Sequence, residues 1–165
     1  MKSITTNDPL QPGYVYPLRT GVAEYGDGFA PELSPQQMLE LGVFGGHYFE
    51  GHHDEYPAAW FNNAIISDHH DPSVNYFGVD ASQSRQEWER KGWIYPEDPR
   101  GWFQWYCRYY LGRRIPEEDA RQIARWRAIR RHVSQIQSAC QQGDELCRPR
   151  QRQAVLHWAY DSRKL

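Results

Sequence analysis

The arginines are the residues of this sequence best suited to binding a ligand. They supply 16 of the 19 basic residues. A guanidinium is planar and permanently charged, so it binds phosphate or carboxylate and stacks on aromatic rings. The candidate ligand-binding residues are six arginines and three aromatic residues: Arg108, Arg113, Arg114, Arg127, Arg130, Arg131, Trp102, Tyr106 and Tyr110. They predict a groove that binds nucleic acid or a nucleotide-like anion and that could act on a base.

The charge distribution is consistent with an anionic partner but has a simpler alternative. Residues 1–98 carry 15 acidic and 5 basic side chains, a net charge of −10, and residues 99–165 carry 6 acidic and 14 basic side chains, a net charge of +8. Such asymmetry is typical of chains that bind polyanions. The alternative is that the two parts pack together and neutralise each other. A module whose acidic and basic parts dock another protein is a further hypothesis.

Histidines and carboxylates between residues 47 and 71 could ligate a divalent metal. We take His47, His52, His53 and Asp54 as the candidate ligands. The same groups could serve a small-molecule enzyme, with the pocket beside the aromatic helix. Their spacing matches no metal motif of fixed geometry, and histidines in polar loops are often simply solvated.

His157 and Asp161 are the candidate catalytic pair. They are four residues apart, so on a helix they would lie on one face, where a carboxylate could orient and charge the imidazole. The alternative is a polar anchor for the last helical turn. Asp80 and Ser82 could also join His157 in a Ser/His/Asp grouping, but nothing in the sequence brings these residues together.

Hydropathy and cysteine content predict the compartment. No apolar run approaches the roughly 20 residues that span a membrane, and the N-terminus lacks the pattern of a signal peptide. We therefore expect a cytoplasmic protein without membrane association. Cys107, Cys140 and Cys147 are expected to be thiols because intracellular proteins keep cysteines reduced. Cys140 and Cys147 could nevertheless pair across the short loop at Gly143.

The elements that must position these residues are helices. Capping residues, prolines and glycines predict about six of them, near residues 34–42, 57–64, 80–91, 100–111, 116–141 and 149–160. The longest is expected from Pro116 to Gln141, because it has a proline at its start, three acids in its first turn and an apolar stripe of helical period. In the fourth, Trp102, Trp105 and Tyr106 fall on one face.

These elements predict an all-α or nearly all-α fold in one compact domain, residues 34–165. Residues 1–33 lack a helical period but are rich in aromatic residues. We therefore expect them to form an extended strap packed on the helical body, with room for short strand pairing near Tyr14–Arg19.

The chain also resembles a widespread family of uncharacterised proteins from bacteria, fungi and some animals. The resemblance lies in the strings DPRGWFQWYCRYYLGRR, CRPRQRQAVLHWAYDSRK and YFGVDAS, and it runs from about Leu39 to the C-terminus. No activity accompanies that family. The resemblance implies a domain that stands alone, and it transfers no functional residues.

Overall fold

Helices provide most of the regular structure. The structure, a computed structural model, describes residues 2–82, 87, 90–92 and 95–165. Its α-helices are α1 (Pro35–Leu41), α2 (Trp102–Leu111), α3 (Pro116–Ala128), α4 (Arg130–Ala139) and α5 (Pro149–Leu156). Single 3₁₀ turns lie at Phe44–Gly46, Ala58–Phe61, Pro72–Val74 and Ser162–Lys164. The predicted helical class is confirmed.

One antiparallel strand pair accompanies the helices in the described residues. β1 (Ser3–Thr5) pairs with β2 (Val15–Pro17), and Ile4 lies opposite Tyr16. The Tyr16 side chain is buried against the helical body. The segment that follows reaches the core through Phe29, whose ring meets the rings of Trp105 and Trp126 edge-on, with centroids 5.5 and 4.9 Å apart.

The described residues do not match the predicted count of six helices. The helix expected from Pro116 to Gln141 is interrupted at Ile129, where the hydrogen bonds tighten: Ile129 N–H donates to Trp126 O, and His132 N–H donates to Ile129 O. The helix expected at 57–64 is a 3₁₀ turn. Half of the positions of the helix expected at 80–91 lie outside the described residues, and Glu87 and Arg90 within it are helical.

α2 is the central helix of the core. Nine of its ten residues are buried, so its polar side chains, Gln104 and Arg108, must find partners inside the protein. The helix approaches α3 through Trp105, whose Nε1–H donates to Asp119 Oδ1 at 2.8 Å. The other oxygen of Asp119 accepts from Ile115 N–H at the start of α3. The face that carries Trp102, Trp105 and Tyr106 therefore belongs to the core.

A left-handed turn follows α1 and packs against the 65–76 loop. Phe44, Gly45 and Gly46 all have positive φ, of 55°, 65° and 69°. A Cβ at Gly45 would lie 2.5 Å from His70 Cδ2 and 2.8 Å from Asp71 N. Only glycine allows this approach.

Cys140 and Cys147 form a disulfide that closes the loop between α4 and α5. The expectation of three thiols is therefore wrong for this pair and correct for Cys107, which is free and buried. The loop turns back through Cys147 N–H, which donates to Asp144 O, and this brings the two Cα atoms to 5.8 Å. That separation lies in the range that a disulfide requires. Separately, none of the helices in the described segments combines the length and apolar character needed to cross a bilayer.

Candidate functional site

The arginines divide into a buried set and an exposed set. In the buried set, Arg108 is 0% exposed and donates to Glu55 Oε1 at 2.9 Å and to Asp98 Oδ1 at 3.0 Å. Arg113, 2% exposed, donates to Asp98 Oδ2 at 2.6 Å. Arg108 and Arg113 are thus occupied by carboxylates of the acidic part and closed to solvent. This corrects the prediction that they bind a ligand.

Tyrosines of the N-terminal segment close over this buried network. Tyr16 OH donates to Glu55 Oε2 at 2.6 Å, and the Arg108 guanidinium lies 5.1 Å from the Tyr14 ring centroid. Burial, together with the nearby Glu55 carboxylate, raises the pKa of Tyr16 well above its usual value. Arg100 similarly binds Asp8. These contacts hold the N-terminal segment on the helical body, so this part of the charge asymmetry is internal neutralisation.

Two of the three predicted base-stacking aromatics are also buried. Trp102 Nε1–H donates to Gln122 O, and Tyr106 OH donates to Leu33 O at 2.6 Å. Both rings belong to the core, which corrects their assignment to a ligand groove. Tyr110 is half-buried and meets Trp60 edge-on, with centroids 5.6 Å apart.

Five exposed arginines form a surface, called the basic surface below, on α3, α4 and the start of α5. Its members are Arg127, Arg130, Arg131, Arg148 and Arg150. None of them makes an ion pair with a carboxylate in the part of the chain that the structure describes. Arg130 instead lies 5.2 Å from the Trp126 ring centroid, and Arg127 donates to the carbonyl oxygen of Asp27.

Local sequence explains the charge of this surface. Residues 120–143 contain five arginines and no acid. The acids of α3 are confined to its first turn, where Glu118 already binds Arg121. Positive charge therefore accumulates toward the C-terminal half of the α3–α4 unit.

Arg114 stands apart from the basic surface. It is half-buried, with its guanidinium 3.6 Å from the Tyr109 ring centroid. The same group donates to Tyr109 O at 2.7 Å and to Glu24 O. Arg114 therefore ties α2 to the N-terminal segment, and its donors are largely used.

A shallow depression of about 320 Å³ lies between α4 and α5, within the basic surface. Its lining is Ser134, Gln135, Ser138, Ala139 and Arg148. Gln151 links the two helices by donating to Gln135 Oε1 at 2.6 Å, and it accepts from Arg148 Nη1 at 3.1 Å. The sequence-based candidate set missed Arg148 and Arg150. In the sequence, Arg148 and Arg150 flank Pro149 at the expected start of the last helix, and this pattern could have identified them.

The histidine residues do not assemble a metal site. His47 Nδ1 contacts Ser67 O at 3.1 Å, and His53 stacks on Phe61 with centroids 4.0 Å apart. His52 and Asp54 are exposed. Within the described segments, no group of three or more His, Cys, Asp or Glu side chains is placed to hold an ion. This corrects the prediction of a metal centre at these four residues.

The predicted catalytic pair is wrong because α5 ends before it. The helix stops at Leu156, and Asp161 instead caps the 3₁₀ turn Ser162–Lys164 and binds Arg163 with both oxygens at 2.8 Å. His157 turns inward and is buried. The four-residue spacing therefore does not place the imidazole beside the carboxylate.

The structure does bring His157 to Ser82, at 3.5 Å from Nδ1 to Oγ. His157 Nε2 faces two donors, Phe44 N–H at 3.4 Å and the Gln153 amide nitrogen at 3.0 Å. Gln153 is fixed in this orientation because its oxygen accepts from Phe77 N–H. The imidazole proton consequently lies on Nδ1, which points at Ser82.

This tautomer cannot activate the serine. A general base must accept the Ser82 proton, whereas His157 Nδ1–H donates to that hydroxyl. Burial lowers the pKa of His157 from 6.5 to about 3, so the ring remains neutral near pH 7. His157 is an internal acceptor for the left-handed turn.

Comparisons of the chain with protein-family models, with curated protein sequences and with solved structures give no match. The family resemblance inferred from the sequence strings thus stays a prediction. Functional assignment rests on the geometry of the basic surface.

Proposed function

We propose that this protein binds nucleic acid through the phosphate backbone, with the basic surface as the contact. The observation that carries the proposal is the division of the arginines. Arg108 and Arg113 are buried with carboxylate partners, whereas Arg127, Arg130 and Arg131 are exposed and form no ion pair with a carboxylate among the described residues. Internal neutralisation accounts for the first group only.

The spacing of the exposed arginines suits an elongated polyanion. Arg127 in α3 lies three and four positions before Arg130 and Arg131 in α4. Ile129 between the two helices keeps helical φ and ψ of −67° and −19°, so the three side chains extend from one side of the α3–α4 unit. The surface then continues past Ser134 and Ser138 to Arg148 on the neighbouring helix. Because Ile129 keeps helical φ and ψ, the 12 positions from Arg127 in α3 to Ser138 in α4 extend over roughly 17 Å. Such a strip spans several successive phosphates.

The exposed side chains support contact with the phosphate backbone of nucleic acid but not recognition of its bases. Trp102 and Tyr106, the predicted stacking plates, are buried in the core. The imidazole of His157 is an internal acceptor, so no base chemistry is assigned to it. Binding of this kind is largely independent of sequence and weakens steeply with salt.

The test is direct binding, measured by fluorescence anisotropy with labelled single-stranded and duplex oligonucleotides at about 50 mM salt. Several unrelated sequences are compared. We expect measurable affinity that is similar for all sequences of one length. Absence of binding to every oligonucleotide would leave the basic surface as a solvated helix face and end the proposal.

A further inference from the structure

The Cys140–Cys147 disulfide lies at one end of the basic surface. Cys140 directly follows Ala139, and Cys147 directly precedes Arg148; both neighbours line the depression between α4 and α5. Both cysteines are half-buried, and residues 141–146 between them are exposed. The bond is therefore accessible from solvent and covalently adjacent to a residue of the proposed contact.

We propose that this disulfide is redox-active and that its reduction weakens anion binding by releasing Arg148. The inference rests on the proposed function, since the affinity it modulates is that of the basic surface. The two cysteines themselves have no part in the proposed contact with phosphate.

The two sulfurs have unequal surroundings. Cys140 ends α4, and its N–H donates to Ile136 O at 2.9 Å, so a thiolate there would face the negative end of the helix dipole. Cys147 comes two residues before Pro149 at the start of α5, with Arg148 and Arg150 beside it. Cationic groups and a helix start both stabilise a thiolate. Cys147 is consequently the better leaving group.

Reduction then follows an ordered exchange with a dithiol. A thiolate of the dithiol attacks Cys140 Sγ, the Cys140–Cys147 bond breaks, and Cys147 leaves with the bonding electron pair. The second thiolate attacks the dithiol's own sulfur in the mixed disulfide and releases the Cys140 thiolate. The protein gains two electrons and, after protonation, two protons. The dithiol is oxidised to its internal disulfide.

Arg148 is the residue most affected by opening the ring. Its backbone is left-handed, with φ 53° and ψ 52°, a conformation that a residue with a Cβ rarely holds without constraint. The closed loop contributes to that constraint, together with the hydrogen bonds from Arg148 Nη1–H to Gln151 Oε1 at 3.1 Å and from Arg152 Nε–H to Cys147 O at 2.7 Å. The rest of α5 has other attachments: Gln151 to Gln135, and Arg152 to the carbonyl oxygens of Ser162 and Leu165. Reduction therefore loosens the backbone at Arg148, and with it the position of the guanidinium, while α5 stays in place.

The expected loss corresponds to one phosphate contact. On a single strand a contact with a salt slope of about −0.7 is worth roughly tenfold in affinity at 50 mM salt, relative to 1 M salt. Oxidised protein should bind a labelled single-stranded oligonucleotide about tenfold more tightly than protein reduced with dithiothreitol. Alkylation and intact mass should find two newly reactive thiols, because Cys107 is buried.

Three variants separate the effect of the disulfide on binding from general effects of the reductant. The double variant Cys140→Ser/Cys147→Ser should bind like reduced protein and ignore dithiothreitol. Arg148→Gln in oxidised protein should show the same roughly tenfold loss, with no further loss on reduction. The variant Cys107→Ser, whose disulfide is intact, should respond as the native chain does.

The outcomes distinguish the two proposals. Equal, tight binding by oxidised and reduced protein overturns the redox inference and leaves nucleic-acid binding standing. A loss on reduction that persists in Arg148→Gln overturns the role assigned to Arg148. If neither redox form binds any oligonucleotide, the proposed function fails, and the control of affinity fails with it.

Discussion

Arg108 Nη1 donates to Asp98 Oδ1 across 3.0 Å, and neither side chain is exposed. The second oxygen of Asp98 binds Arg113 at 2.6 Å. One carboxylate of the acidic part therefore serves two guanidinium groups of the basic part inside the protein. The basic surface is formed by other arginines, which are exposed on α3, α4 and α5.

Asp98→Asn should strongly destabilise the protein. The change leaves Arg108 and Arg113 buried with an amide in place of their shared carboxylate. Removing one partner of a buried ion pair costs about 3–5 kcal/mol. Chemical denaturation of variant and native protein measures the difference. The matched control is Asp54→Asn, because Asp54 is exposed and should change the free energy of unfolding by less than about 0.5 kcal/mol. Equal effects of the two substitutions would contradict the assigned network.

Trp105 should stabilise the fold both by filling volume in the core and by donating a hydrogen bond from its indole N–H. The side chain is fully buried, and its indole donates to Asp119 Oδ1. Trp105→Ala should cost about 3–5 kcal/mol because it opens a cavity. Trp105→Phe keeps a ring but leaves a buried carboxylate oxygen without its donor, at about 1–3 kcal/mol.

Thermal and denaturant unfolding measure both effects. Trp158→Phe is the control, since Trp158 is half-buried and makes no indole hydrogen bond in the described residues. A melting temperature that Trp105→Ala leaves unchanged would show that this face is not core.

Local signals explain which elements could be predicted. Ser34 caps α1 in a capping box with Gln37, as the Ser34-Pro35 pair indicates. The aromatic periodicity of α2 and the Pro116 start of α3 likewise depend on residues close in sequence. These interactions form within one or two turns, so one sequence carries the information.

The candidate site depended on contacts that no local pattern encodes. Arg108 and Arg127 look alike in sequence, but Glu55 lies 53 residues from Arg108 and neutralises it. Similarly, His157 is set by Phe44, 113 residues away, and not by Asp161. The sequence did not decide whether Cys140 and Cys147 are thiols or a disulfide, because that choice depended on the assumed compartment.

His157 should make the stability of the fold depend on pH. Burial depresses its pKa in the folded state to about 3, below the ordinary value of 6.5. Between these values the unfolded chain binds a proton that the folded chain excludes. The contribution of the neutral imidazole to the free energy of unfolding is therefore complete above pH 6.5. It is lost as the pH falls from 6.5 toward 3. From pH 8 to pH 5 this residue should cost about 2 kcal/mol.

The measurement is the free energy of unfolding at pH 8 and pH 5, for the native chain and for His157→Gln. Glutamine can place an acceptor near the position of Nε2 and does not titrate, so the variant should lose about 2 kcal/mol less between the two pH values. His69→Gln is the comparison, because His69 is exposed and its pKa is raised by Asp68. An identical pH dependence in native protein and His157→Gln would refute the neutral, buried imidazole.

The salt dependence of oligonucleotide binding tests the basic surface most directly. Log affinity should fall linearly with log salt, by about 0.9 per neutralised phosphate on duplex DNA. The triple variant Arg127→Gln/Arg130→Gln/Arg131→Gln should flatten that slope by two to three units. The control triple Lys2→Gln/Arg19→Gln/Arg163→Gln removes the same charge from exposed sites elsewhere and should leave the slope near the native value. Both variants must melt like native protein. A slope that changes equally in the two triples, or native protein that binds no oligonucleotide at about 50 mM salt, would contradict the assignment of this surface.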